Sequence, residues 1–201
     1  MDPLAHTLVG ATLAETRLKT WSARSTPMLL LGVNAPDIDA VTMLIERDLS
    51  LGFRRGWTHG ILALIVLPIL LTALVVVADR VIAKLRGHEP TAQPRPLFVL
   101  AFIAVLTHPV LDWLNTYGMR FFMPFDGTWF YGDALFVVDP WVWLLTATTV
   151  VLAHTSTRLS IVAWIILGLT TTSLITGFEG APATTRFVWC GGIIGIVWLR
   201  T

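Results

Sequence analysis

A chain of 201 residues carrying five histidines and thirteen acidic residues sets several of them in patterns that suit metal chemistry. His108 and Asp112 are four residues apart, a spacing that puts two side chains on one face of a helix about one turn apart. Such a pair can ligate one ion or two adjacent ions, or it can form an ordinary hydrogen bond. Pro109 follows the histidine directly and weakens the helix there. The surroundings favour ligation, because an ionisable group at the centre of a membrane helix costs ~2.5 to 3.5 kcal/mol on insertion scales. A carboxylate in that position calls for a cation.

Asp37 and Asp39 stand in Asn34-Ala35-Pro36-Asp37-Ile38-Asp39, an interruption of an otherwise apolar segment. They read either as a solvated turn in which Asp37 caps the next helix or as metal ligands, with Asp39 favoured if only one ligates. His59 ends the run Arg54-Arg55-Gly56-Trp57-Thr58-His59. Arg54 and Arg55 beside a helix N-terminus could hold an anion, or the run could be a basic interfacial anchor with Trp57 at headgroup level. His6, among Leu4, Leu8 and Val9, is a core histidine taken alone and a ligand when counted with the others. Asp133 and Asp139 are further metal candidates, although Asp139 precedes Pro140, where an aspartate commonly caps a helix.

Oxygen and imidazole ligands without thiolate suit zinc best, manganese next and magnesium less well. Cys190 is the only cysteine, so neither an intramolecular disulfide nor a thiolate cluster is available. One or two divalent ions are expected, and a metal held by such ligands at a membrane face lowers the pKa of a bound water and polarises a phosphoryl or acyl oxygen. Metal-assisted hydrolysis is the chemistry this implies.

The elements that must position these residues are membrane helices. With 55% apolar and 13% charged residues and a mean hydropathy of +0.72, the chain has too little polar surface for a soluble globule. A formal net charge of +1 gives no sign of a nucleic-acid partner. Residues 61–78 form the clearest span, without a charge and with Pro68 inside it, a proline that membrane helices tolerate. Further apolar stretches cover 97–114, 134–153, 159–178 and 187–199, while 4–18 and 27–45 are short or interrupted. The expected fold is all-α: one polytopic domain over 1–201 with seven helical elements, five to seven of them in the membrane and the first two only partial spans. The N-terminus lacks a basic region, so no cleavable signal peptide is expected. The nine tryptophans read mostly as interfacial or lipid-facing residues.

Basic residues set the orientation, since Lys and Arg in short loops favour the cytoplasmic side. Placing the loop with Arg80, Lys84, Arg86 and Arg95 inside also puts Arg17, Lys19, Arg24, Arg158 and Arg200 there, nine of the fourteen basic residues. The N-terminus is then outside and the C-terminus cytoplasmic. In this scheme His6, Asp37, Asp39, His59, Asp133 and Asp139 fall at the outer end, with His108 and Asp112 in the outer half of the fourth element and His88 and His154 on the inner side.

These motifs resemble the YdjM-like family of LexA-regulated inner-membrane predicted metal-dependent hydrolases. The matching pieces are His6-Thr7, Pro36 to Asp39, Arg55 to His59, His108 to Asp112 with Asn115, Tyr117 and Gly118, and Asp133 to Trp141. They lie within residues 1–141, leaving 142–201 as additional membrane helices. Arg54 stands where that family usually carries a histidine. The motif order is also similar to that of zinc-dependent phospholipase C and P1 nuclease. The resemblance implies a prokaryotic inner-membrane enzyme with His6, Asp39, His59, His108 and Asp112 as metal ligands and Asp37 beside them. A phosphoester in a membrane lipid or lipid-linked phosphate is the expected substrate, with Arg55 and Arg54 on the phosphate. A transport path lined by His and Asp and a non-catalytic membrane scaffold are the rival readings, and the oligomeric state is open. The orientation is checked by labelling a His88→Cys variant made in a Cys190→Ser background. An impermeant thiol reagent applied to intact cells should leave it unmodified, and modification would reverse the topology.

Overall fold

The structure is a computed structural model that describes residues 1–44 and 52–200. Its described residues form seven α-helices: α1 (Pro3–Leu13), α2 (Ser25–Asn34), α3 (Ile61–Arg86), α4 (Pro94–Leu114), α5 (Pro140–His154), α6 (Arg158–Gly177) and α7 (Ala183–Arg200). Two 3₁₀ segments, Arg17–Thr20 and Ala35–Leu44, complete the helical structure. Three helices are long and apolar enough to cross a membrane, namely α3, α4 and α6, and α5 is a shorter apolar helix. At 11 and 10 residues, α1 and α2 reach only about 15 Å at 1.5 Å per residue, half of a bilayer core. They are partial elements, as the interrupted apolar pattern implied.

Two boundaries differ from the apolar stretches. The second stretch splits at Asn34 into α2 and the 3₁₀ segment, because Pro36 has no N–H with which to carry the helical ladder onward. Its last residue, Ile45, lies outside the described residues. The stretch that begins at position 134 becomes helical only at Pro140. Residues 134–135 instead donate their amides to the Leu114 carbonyl at 2.9 and 3.0 Å, capping the end of α4.

The chain divides into two compact units, 1–138 and 139–201. In the first, α2 packs against both α1 and α4, and α3 lies along α4. Its core is Met28, Leu29, Val33, Leu71, Val75, Leu97, Leu100, Ala101, Ala104 and Val105. Small residues set how closely the helices approach: a Cβ on Gly32 would come within 2.5 Å of the Ala104 Cβ, and one on Gly10 within 2.5 Å of Val33. In a lipid solvent, where helices gain little from excluding water, such backbone proximity supplies the dispersion contact that holds them together. The outward faces carry Ile65, Ile69, Leu74 and Val77 on α3 and Phe98, Phe102 and Leu106 on α4, all exposed, as a lipid-facing surface requires.

One end of this unit is pinned by Asp79. It is buried near the end of α3 and accepts from Arg24 Nε at 2.5 Å and from the Thr91 and Ala92 amides at 2.7 and 2.8 Å, so the charge is both paired and hydrogen-bonded. At the other end, residues 115–138 fold back over the helix termini. Met119 and Phe130 exchange backbone hydrogen bonds at 3.0 and 2.8 Å, Arg120 N donates to the Arg55 carbonyl at 2.9 Å, and Ile61 N donates to the Phe121 carbonyl at 2.8 Å. Gly118, at φ +70°, lies so close to Phe130 O that a Cβ would come within 2.5 Å. In the second unit α7 packs on α5 and α6. Trp189 meets Trp143 edge to face and donates to Thr172 Oγ1 at 2.9 Å, while Arg200 bonds Thr155 at the end of α5.

The Gly32 crossing yields a test of the packing. Gly32→Ala should lower stability by about 1 to 3 kcal/mol through overpacking, read as a fall in thermal midpoint in detergent. Adding Ala104→Gly should recover part of the loss, a coupling expected only of residues in contact.

Candidate metal centre

Four elements of the first unit bring their polar residues to one place. His6 comes from α1, Asp37 and Asp39 from the 3₁₀ segment after α2, Arg55 and His59 from the turns before α3, and His108 and Asp112 from α4. His6, Asp39, Arg55, His59, His108 and Asp112 are all buried. Asp37, His59, His108 and Asp112 each offer one ligand atom within 4.8 Å of the others. His59 Nε2 and His108 Nε2 lie 3.3 and 3.5 Å from Asp112 Oδ2, and 3.9 and 3.6 Å from Asp37 Oδ1.

The hydrogen bonds behind the two imidazoles decide which nitrogen carries the proton. His108 Nδ1 faces the Val33 carbonyl at 2.6 Å, an acceptor only, so Nδ1 is the protonated nitrogen. That carbonyl is available because the next 3₁₀ donor in register would be Pro36, which has no N–H. Thr58 Oγ1 donates to Asp39 Oδ2 at 3.0 Å and lies 3.0 Å from His59 Nδ1. With its own proton engaged, the hydroxyl can only accept from His59, which again puts the proton on Nδ1. Both Nε2 atoms therefore present lone pairs, and they face each other at 3.0 Å. Two lone pairs at that distance repel unless a cation lies between them, and two imidazoles on a tetrahedral zinc at ~2.05 Å would be roughly 3.3 Å apart. Asp112 Oδ2, directed at the same point, is buried with no hydrogen-bond partner. The donor set fits a divalent cation.

Burial, reinforced by the neighbouring His108 and Arg55, holds His59 well below the ordinary histidine pKa, so it stays neutral with its lone pair free. Burial likewise lowers Arg55 to about 10, against the opposing pull of Asp37, which leaves it charged at neutral pH.

The remaining residues divide around this group. Asp39 stands behind His59, accepting from the Arg55 amide at 2.9 Å and from Thr58. On a 3₁₀ turn two positions two apart point about 120° away from each other, so Asp37 faces the cluster while Asp39 orients a histidine. His6 stacks on His108 with ring centroids 3.6 Å apart and reaches the other oxygen of Asp112, Oδ1, at 3.3 Å. Both of its ring nitrogens lack a hydrogen-bond partner. The Met1 amino group also bonds Asp112 Oδ1. Arg55, at φ 52°, a backbone conformation that costs a non-glycine residue of order 1 kcal/mol, turns its guanidinium inward. Arg54 is half-buried, with Nη1 3.4 Å from Met43 Sδ. Asp133 is exposed, and Asp139 caps α5 by accepting from the Trp141 and Val142 amides at 3.0 and 3.2 Å. Asn115, fully buried beside Asp112, is a site residue that the types and spacing did not single out. It entered the sequence reading only as part of the matched motif, with Tyr117 and Gly118.

An all-helical membrane protein with a buried histidine and aspartate cluster at one end of its helices is what fold and site define. The chain belongs to the YdjM inner membrane protein family, whose model matches residues 1–181. It is 25% identical over 152 residues to the uncharacterised protein YfhP of Bacillus subtilis (strain 168), an alignment covering 72% of this chain and 43% of that one. The chain thus spans less than half the length of this relative. No solved structure matches it.

The geometry separates ligands from bystanders. Zinc content of the purified chain, measured by mass spectrometry of the metal, should fall at least about tenfold in His59→Ala and Asp37→Ala, whereas Asp133→Ala should retain it. Equal loss in all three would mean that the four-residue group does not hold the ion.

Proposed function

We propose that the chain is a membrane-embedded, metal-dependent hydrolase that cleaves a phosphoester of a lipid or lipid-linked substrate, with zinc as the ion best suited to the site. The observation that carries this reading is the pair of Nε2 lone pairs facing each other at 3.0 Å beside the unpartnered Asp112 Oδ2. Asp37, His59, His108 and Asp112 would hold the ion, with His6 on the far oxygen of Asp112. A divalent cation there supplies Lewis acidity and an acidified water to a phosphoryl group. Asp39 and Thr58 orient His59, and the Val33 carbonyl orients His108, which fixes ligand direction before substrate arrives.

Two features support an enzyme over a carrier. The site lies at one end of the helices, and the α4 positions one to two turns further in, Leu100, Ala101, Ala104 and Val105, are buried and apolar. A transport path would need polar groups there. Asp37 is the most exposed of the four ligands, 18% against 0% for the other three side chains, so the approach to the ion runs past it. Its neighbours Ile38, Val41 and Met43 are exposed, an apolar margin suited to a lipid substrate. The orientation with this end outside follows from the basic residues and belongs to the same proposal.

The test is hydrolysis of a panel of phospholipids and phosphate esters by the purified full chain loaded with zinc. His108→Ala and Asp112→Ala should each reduce turnover by roughly a hundredfold or more, while His154→Ala, an exposed residue of the second unit, should leave it within about twofold. Bound zinc without turnover of any ester would favour a carrier or scaffold, and an equal loss in His154→Ala would remove the one-ended site from consideration.

A further inference from the structure

Asn115 follows α4 directly and is fully buried. Its Oδ1 accepts from Arg55 Nη1 at 3.0 Å, from the Tyr117 amide at 2.8 Å and from the Gly118 amide at 3.2 Å. Three donors converge on that oxygen, so the side-chain amide has one orientation: a flip would set its own NH₂ against all three. Nδ2 is thereby committed to the opposite side, where it donates to Asp112 Oδ1 at 3.3 Å.

Arg55 completes the arrangement. Nη1 also donates to the Gly118 carbonyl at 3.1 Å, Nη2 lies 3.3 Å from Asp112 Oδ1, and the guanidinium stacks 4.4 Å over the Tyr117 ring. Asp112 Oδ1 is therefore held by Asn115 and Arg55, with the Met1 amino group and His6 Nε2 against the same oxygen, whereas Oδ2 has no hydrogen-bond partner and faces His59 Nε2 and His108 Nε2 at 3.3 and 3.5 Å.

We infer that Asn115 is a positioning residue: with Arg55 it locks the rotation of the Asp112 carboxylate so that Oδ2 is delivered to the metal. This assigns Arg55 to the support of the site, since its Nη1 and Nη2 are both committed within the protein. A carboxylate free to rotate would exchange its two oxygens and lose ligand preorganisation, and support of this kind is typically worth 10- to 100-fold in metal affinity. The inference rests on the metal-centre reading.

The deciding variant is Asn115→Asp in the full chain in detergent. It keeps an acceptor for Arg55 and for the Tyr117 and Gly118 amides but loses the N–H to Asp112 and sets a carboxylate against it. The expected result is a monodisperse protein whose zinc affinity, by chelator competition, is at least ~10-fold weaker than the natural chain's, with an altered visible spectrum of the Co²⁺-loaded form. A role confined to capping the 115–118 turn would be rescued by this variant, so unchanged or tighter zinc binding together with an unchanged Co²⁺ spectrum overturns the inference. Should Asn115→Asp fail to fold, Asn115→Ser, which retains a capping oxygen but no amide N–H, is judged by the same two readouts. If the natural chain itself binds neither zinc nor Co²⁺, it is the metal-centre reading that fails, a result distinguishable from equal binding by natural chain and variant.

Discussion

Two imidazole lone pairs 3.0 Å apart converge with two carboxylates at one end of the first unit, where Arg55 and the Met1 amino group sit on one oxygen of Asp112 and leave the other toward the imidazoles. Protein interiors and lipid screen charge poorly, so the repulsion within such a group would be severe if left unanswered. Burial alone would be expected to scatter these residues or to pair each with a separate donor. The Val33 carbonyl, the Thr58 hydroxyl and Asp39 do the reverse, spending the outward ring nitrogens so that the inward ones converge.

The supporting structure meets this demand by irregularity where helices would fail. The 3₁₀ segment that begins at Ala35 turns about 120° per residue, which sets Asp37 and Asp39 in different directions. The turn before α3 holds Arg55 in a left-handed conformation, with its amide on Asp39 and its carbonyl receiving the Arg120 amide. Residues 115–138 then bind to the α4 and α3 termini through backbone hydrogen bonds, satisfying polar groups that lipid could not. The candidate site is thus hydrogen-bonded at its backs and sides, and Asp37 is the partly exposed member of its four-residue group.

Membership in the YdjM inner membrane protein family gives this arrangement a setting. Polar residues of the first unit segregate: a fully satisfied ion pair and loop clamp at Asp79 closes one end, and an incompletely satisfied cluster occupies the other. Among the described residues of these two ends, the unpartnered polar atoms of His6, Asp39 and Asp112 lie in the second. Between the two ends, the buried α4 residues Leu100, Ala101, Ala104 and Val105 are apolar, and Gly32 crosses closely at Ala104.

The sequence by itself determined the class: apolar length marked α3, α4 and α6, and the shortness of the first two stretches marked partial elements. It also identified His59, His108 and Asp112, because ionisable residues in an apolar context are costly enough to need a reason. What it could not decide was direction. Asp37 and Asp39 are the same residue type two positions apart, and only the 3₁₀ turn, itself a consequence of how Pro36 meets the end of α2, sends one to the cluster and the other behind His59. Arg55 read as an anion site or an interfacial anchor, and its contacts to Asn115, Gly118 and Asp112 come from residues far along the chain. Asn115 carries no charge and entered the sequence reading only as part of a matched motif, and it is three donors that fix the direction of its amide. Residue type and spacing report the cost of burial, which is local, whereas hydrogen-bond direction depends on partners far apart in the chain, which only the tertiary structure supplies.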